Sequence, residues 1–421
     1  VSDRSRQEAE RAVESVARQS YGRLVAFLAA RTRDVAGAED ALADALVAAL
    51  ATWPRDGVPS APEAWLLTAA RRRVIDSKRR ERVRGDSGPT LELIAGGSGQ
   101  EVGSGSIPDE RLKMLFVCAH PAIDADMHTP LMLQAVLGLD AAAIGQAFLV
   151  SPAAMGQRLV RAKTKIREAG IAFEVPEAGE LPQRLEAVLD AIYGAYGNAW
   201  QDAAGVDVRA CGLADEAIWL ARALHACLPQ EPEVRGLLAL MLHCEARRPA
   251  RRAADGSFVP LSEQDPRLWI ASMIDEAERE LGEVAAKGRL GRYQLEAAIQ
   301  SVHAERRRSG KTDWSAIAWF YERLVELSPT LGARVGHAAA VAEVSGPAVA
   351  LSLLERIEEK RVKTYQPYWA VRAHLLQRLC REEEARQAFD RAIGLVEDPA
   401  VRRFLLERKS GALSTKRKEK S

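Results

Sequence analysis

Apolar residues recur every three or four positions along most of this chain, the period of a helix with one buried face. No run of alternating, β-branched residues offers a strand. The first stripe, between Ala9 and Thr32, is Val13, Val16, Ala17, Leu24, Phe27 and Leu28. A second helix is predicted from Ala36 to Trp53, with Leu42, Ala45, Leu46, Ala49 and Leu50 facing inward. Its acids Glu39, Asp40 and Asp44 fall in the first turns, where the helix dipole favours negative charge. Pro54, Gly57, Pro59 and Pro62 then break the pattern, and Ser60 and Glu63 have capping-box spacing. A long helix is predicted from Pro62 to Arg82.

Further along, "LDAAAIGQAFLVSPAAMGQRLVRAKTKIR" spans Leu139 to Arg167. Ile144, Ala147 and Phe148 face inward on one predicted helix, and Leu149 and Val150 make a turn. Ser151 is an N-cap and Pro152 suits the first helical position. On the second helix Met155, Leu159, Ala162 and Ile166 point inward, while Gln157, Arg158, Arg161 and Lys165 point outward. This is the pattern of a helix-turn-helix, in which the second helix presents its N-terminal part to base edges. Gln157 and Arg158 are candidates for reading bases, and Arg161, Lys163 and Lys165 for holding phosphates.

In the last half a spacing repeats. Trp369 is followed by Ala385, Phe389 and Ala392, at offsets of 16, 4 and 3, which match the tetratricopeptide helix-turn-helix unit. Ile317, Tyr321, Leu324 and Pro329 reproduce its second helix and terminal proline, as do Ala217, Ala221, Leu224 and Pro229. Ala350, Leu354 and Ile357 give a further second helix. Such units cannot bury their apolar faces alone and must stack.

A chain of 421 residues exceeds one ordinary core, so several domains are expected. The composition divides it into residues 1–84, a linker at 85–106, a second block at 107–176, a third at 177–413 and a basic tail at 414–421. The linker, rich in Gly and Ser, is expected to be flexible, and the tail a solvated end. Net charge is +1, so the chain as a whole does not announce a nucleic-acid partner. Local charge does: residues 71–84 hold eight basic side chains against Asp76 and Glu81. Arg71, Arg72, Arg73, Lys78, Arg79 and Arg80 are candidate phosphate ligands, with Asp76 spaced to orient Arg72 and Arg80.

The five cysteines show no pairing logic and read as reduced, buried thiols in a cytoplasmic protein. No apolar run is long enough for a membrane span, so no membrane partner is expected. The histidines lack metal-ligand spacing, and nucleophile-elbow, P-loop and zinc-protease motifs are missing, so no catalytic residue, metal or cofactor is expected and the chain does not read as an enzyme.

"AEDALADALVAALATWP" and "APEAWLLTAARRRVIDSKRR" resemble region 2 of the extracytoplasmic function (ECF) sigma factors, bacterial transcription initiation factors of the sigma-70 family. "IPDERLKMLFVCAHPAI" and "AFLVSPAAMGQRLVRAKTKIREAGIAFEVP" resemble their region 4. The rest, through "LSEQDPRLW", "TDWSAIAWFYERL" and "VGHAAAVAEVSGPAVALSLLERI", is similar to a subgroup with a C-terminal tetratricopeptide-like domain. The chain departs from that subgroup at Cys118-Ala119, where a cysteine pair is usual, and at Ala195-Tyr196-Gly197-Asn198.

The resemblance implies an all-α protein: a region 2 helical domain, a flexible linker, a region 4 helix-turn-helix domain and a tetratricopeptide-like extension. It implies docking of Glu39, Asp40, Asp44 and Leu46 on the β′ clamp helices of core RNA polymerase, with the β flap a further contact. It implies −10 promoter recognition by the 54–62 loop and the following helix, with Trp65 and the basic cluster, although Trp65 also reads as core packing. It implies −35 recognition by Ser151, Ala154, Gln157, Arg158, Arg161, Lys163 and Lys165, with a peptide or protein as partner of the extension. The rival is a helix-turn-helix regulator with a tetratricopeptide sensor that acts without polymerase. It leaves the basic helix 63–82 and the acidic helix before it unexplained.

Overall fold

The computed structural model describes residues 3–83, 109–148, 150–177, 179–201, 208–285 and 290–419. The chain is all-α, and among the described residues the only extended pairing is one isolated bridge between Arg252 and Phe258. It divides into two compact units. The first holds residues 1–199 and 212–220, and the second residues 200–211 and 221–421.

The first unit begins with α1 (Asp3–Gln19), α2 (Tyr21–Thr32), α3 (Val35–Asp56) and α4 (Pro62–Val83). The single stripe predicted over 9–32 is therefore two helices, separated at Ser20. Arg33, in the left-handed region at φ 55°, ends α2 with its N–H on the carbonyl of Ala29. One residue later the Asp34 side chain caps α3 by accepting from the Gly37 N–H at 3.0 Å. Leu24, Phe27, Leu28, Leu42, Trp53, Leu66 and Leu67 fill the core between these helices.

Pro54 does not break α3, which runs on to Asp56 and closes at Gly57 (φ +85°). A proline there forfeits one backbone hydrogen bond and crowds the carbonyl four residues back, and the helix ends two residues later. Glu63 does not serve Ser60 as a capping box either. Its carboxylate accepts from the Ser20 hydroxyl and the Arg23 guanidinium, tying α4 to α2.

Four shorter helices follow: α5 (Arg111–Cys118), α6 (Ala125–Ala135), α7 (Ala141–Ala147) and α8 (Pro152–Glu168). Met114, Leu115, Phe116, Leu131, Ile144, Met155, Leu159 and Ile166 are buried among them. This second bundle packs on the first: α2 lies against α5 and α6, and α3 against α8. α9 (Leu181–Gln201), as far as residue 199, completes the unit with residues 212–220 of α10 (Val208–Cys227).

The second unit is a succession of neighbouring helices. α11 (Pro232–Ala246), α12 (Ala271–Ala285) and α13 (Arg292–Ser309) pack together, with three short 3-10 turns between α11 and α12. α14 (Trp314–Leu327), α15 (Leu331–Val344), α16 (Pro347–Glu355), α17 (Glu359–Val362), α18 (Gln366–Arg378), α19 (Glu382–Leu395) and α20 (Pro399–Glu419) follow. Each long helix rests on its sequence neighbours, the arrangement of stacked helix pairs. The strongest sequence repeat falls on one pair: Trp369 lies on α18, and Ala385, Phe389 and Ala392 are buried on α19. The Trp369 indole N–H donates to the Val362 carbonyl at 3.0 Å, and Arg391 sits 5.4 Å over its ring.

Candidate nucleic-acid and polymerase interface

The acidic helix α3 has two faces. Ala38, Leu42, Ala45, Ala49 and Trp53 point into the core. Asp40, Asp44 and Val47 recur on the opposite side at helical spacing, with Leu50 at the edge. Val47 is 66 % exposed and Leu50 44 %, so the inward placement predicted for Leu50 is corrected. At 3.6 residues per turn Leu46 and Leu50 drift progressively round the helix from the buried Leu42, which carries Leu50 to the exposed side. Leu46 is half-buried. The result is an acidic patch running into an apolar one on a single exposed helix face.

Glu39 is elsewhere. It is the buried partner of Lys163 on α8, and burial pushes its carboxyl above the ordinary range, against the pull of Lys163. Lys163 itself is only 6 % exposed. A phosphate candidate with Arg161 and Lys165 in the sequence, it points toward α3 in the structure, one helical step past Ala162, where Glu39 neutralises it.

The remaining candidates on α8 are outward. Ser151 caps the helix by accepting from the Ala154 N–H at 3.4 Å, and Ala154 is half-buried. Gln157, Arg158, Arg161 and Lys165 are exposed, forming one basic, hydrogen-bonding side. The turn into α8 is held by the Val150 N–H on the Gly145 carbonyl at 2.8 Å. Gly145 admits that turn because a Cβ there would lie 2.6 Å from the Val150 oxygen. Phe148, predicted inward, is 40 % exposed, as is Val160 at 64 %. Phe148 falls just beyond the end of α7, where the chain has left the helical face that carries Ile144.

On α4, Trp65 is half-buried and meets Trp53 edge-to-face, with ring centroids 5.5 Å apart. Arg71 lies over the Phe27 ring at 5.2 Å, while Arg72 and Arg73 are exposed. The side chains of Lys78, Arg79 and Arg80 lie outside the described residues, as does the 85–106 linker.

Two residues that the sequence did not single out join this region. Arg111, 8 % exposed, is held by both oxygens of Asp109 at 2.8–3.1 Å and by Glu216 from α10, and it lies 4.3 Å over the Trp219 ring. Gly22 lets α2 approach the end of α6 closely. The i,i+2 spacing of Asp109 and Arg111 could have marked that pair, but Glu216, Trp219 and, for Gly22, Val136 are distant in sequence and leave no local pattern.

Among the described residues no group of three His, Cys, Asp or Glu side chains is placed to hold a metal ion, and no helix is long and apolar enough to cross a membrane. The free cysteines are not uniformly buried as expected. Cys118 is buried and Cys244 half-buried, but Cys227 and Cys380 are exposed.

Comparison with known proteins adds three findings. Residues 16–84 match sigma-70 region 2. Residues 184–285 match a family of unknown function, DUF6596. An uncharacterized protein of Rhizobium meliloti (strain 1021) is 39 % identical over 383 residues, covering 90 % of this chain and 89 % of the relative. No solved structure matches.

Proposed function

The chain carries a sigma-70 region 2 domain, which places it in the sigma-70 family of transcription initiation factors, and it shares nearly its whole length with an uncharacterized Rhizobium meliloti protein; on that premise we propose that it is an ECF-type sigma factor with a regulatory helical extension. The observation that carries this reading is the exposed face of α3. Val47 and Leu50 are exposed beside Asp40 and Asp44, which makes one acidic and apolar helix face opposite the side that fills the core. Acid next to apolar surface suits a basic, partly apolar helical partner: charge sets register and association rate, and apolar burial supplies affinity. The β′ clamp helices of core polymerase are that partner in this reading.

Two DNA contacts follow. Arg72 and Arg73, with the rest of the α4 basic run, hold the strand exposed at the −10 element through its phosphates. Trp65 supports that helix from beneath by packing on Trp53, rather than wedging between bases. Gln157, Arg158, Arg161 and Lys165 enter the major groove at the −35 element. The helix pairs from α13 onward form a tetratricopeptide-like platform for a peptide or protein that regulates initiation. No step calls for catalysis or a cofactor, and the work is done in the cytoplasm, where polymerase and promoters are.

Multi-round run-off transcription tests this, using purified bacterial core polymerase and sheared genomic DNA from the source organism. Discrete transcripts that vanish when this protein is omitted are expected. Stable DNA binding with no polymerase-dependent initiation would turn the reading to a regulator that works without polymerase.

A further inference from the structure

Two arginines of the second unit converge with no carboxylate paired to either among the described residues. Arg247, which follows α11, is 8 % exposed. Its Nη2 donates to the Gln300 side-chain oxygen at 2.6 Å and to the Cys244 sulfur at 3.7 Å, and its Nε is buried without a hydrogen-bond partner. Arg306 on α13 donates to two main-chain carbonyls, of Ser262 at 3.1 Å and of Gln264 at 2.7 Å, and lies 5.1 Å over the Trp269 ring. His303, one turn before Arg306, feels both. Burial, and then the positive charges of Arg247 and Arg306, lower its pKa to about 3.

The acids of the same elements are engaged elsewhere. Glu245 is held by Arg248 and Glu296 by Arg292, while Glu278 accepts from the Ser301 hydroxyl and faces His243 at 3.4 Å. Gln300 and the two carbonyls answer hydrogen bonds but carry no charge. A guanidinium withdrawn from water among neutral partners keeps its desolvation penalty until an anion joins it. Trp269, against Arg306, adds a buried indole N–H without a partner, so the unanswered groups here are donors. Gln300, His303 and Arg306 are half-buried, and the cluster is reached from solvent along α13.

We propose that Arg247 and Arg306 form an oxyanion site in the second unit, which takes the phosphate or carboxylate group of a small molecule. Arg306 meets the anion from the accessible side, and the unpartnered Nε of Arg247 donates to it from within. Both bonds are charge-assisted, which makes them the strong ones in the site. The neutral ring of His303 lies between the two arginines as a further donor. The site lies on α11, the 3-10 turns and α13, away from the residues assigned to polymerase and promoter. It does not depend on the sigma-factor reading.

Isothermal titration of the full chain tests this, with inorganic phosphate and citrate as separate probes against chloride at equal ionic strength. At least one probe should fill a single site per chain below about 10 mM. Tighter binding of phosphate would assign a phosphorylated ligand, and tighter binding of citrate a carboxylate. Saturation by neither would overturn the proposal.

Arg306→Gln removes the charge and keeps a donor for the carbonyls. It should weaken binding about tenfold, whereas Arg307→Gln, at the exposed neighbouring position, should leave binding unchanged. Equal losses would reveal diffuse surface attraction and overturn the site. Histidine-labelled wild-type protein makes the test independent of how any variant folds. The bound probe should move the ring resonances of His303 and leave those of His128, in the first unit, in place. Binding that leaves His303 unmoved would overturn the proposal.

Discussion

Gly22 and Val136 approach so closely that the carbonyl oxygen of Val136 occupies the place a side chain at Gly22 would take, 1.8 Å from its Cβ position. This is a backbone-to-backbone contact between α2 and the end of α6, and nothing flexible stands in it to yield. Gly22→Ala should therefore force the two bundles apart, at a cost of about 1–3 kcal/mol. Thermal unfolding of the variant should begin at a lower temperature, and limited proteolysis between the bundles should accelerate. A wild-type melting profile would show that the junction does not contribute to stability.

The α3 face offers a second prediction. Asp40→Lys with Asp44→Lys reverses the charge presented to polymerase without touching the core, since both side chains are exposed. Affinity for core polymerase should fall at least tenfold, about 1.4 kcal/mol, mostly through slower association at low salt. Val47→Ser should weaken binding by speeding dissociation instead. Surface-capture kinetics at two salt concentrations separate the two effects.

Arg158 is the exposed arginine nearest the start of α8 and so nearest to base edges in a groove-bound helix. Arg158→Ala should cost roughly 1–3 kcal/mol on the correct −35 sequence and much less on a scrambled one. An equal loss on both would assign Arg158 to phosphate alone. The contrast is read by competition binding of the holoenzyme to matched and scrambled promoters.

His243 on α11 and His303 on α13 set the acid sensitivity of the second unit. Burial is the main cause that lowers both from 6.5 to about 3, and the positive charge of Arg247 adds to it. The folded state holds both neutral where the unfolded chain would protonate them. Stability from this source is fully present above pH ~6.5 and is lost as pH falls toward 3. At pH 5 the loss should be about 2 kcal/mol for each histidine. Denaturant melts of the second unit at pH 7.5 and pH 5 should show it, and His243→Phe should remove about half of the difference.

Much of this fold is legible in local pattern. The inward residues of α8, namely Met155, Leu159, Ala162 and Ile166, are all buried as their spacing demands. The Ser151 cap and the Trp369–Phe389 helix pair also follow from chemistry within one or two turns of chain. Errors arose where local rules competed with distant partners. Glu63 had the spacing of a capping box and took Ser20 and Arg23 instead. Leu50 had the period of a core residue but has drifted round α3 from the buried Leu42 to the exposed side.

Helical period, caps and turn residues act through atoms a few residues apart, so the order of the helices and the basic character of α4 and α8 were already written in the linear chain. Which charges remain free is a different matter. Lys163 and Arg161 look alike in sequence, yet one is buried against Glu39 and the other is exposed. That distinction depends on a partner 124 residues away. Desolvation and pairing are properties of the packed interface, and only the tertiary structure brings α3 and α8 close enough for one carboxylate to claim one lysine out of a row of basic side chains.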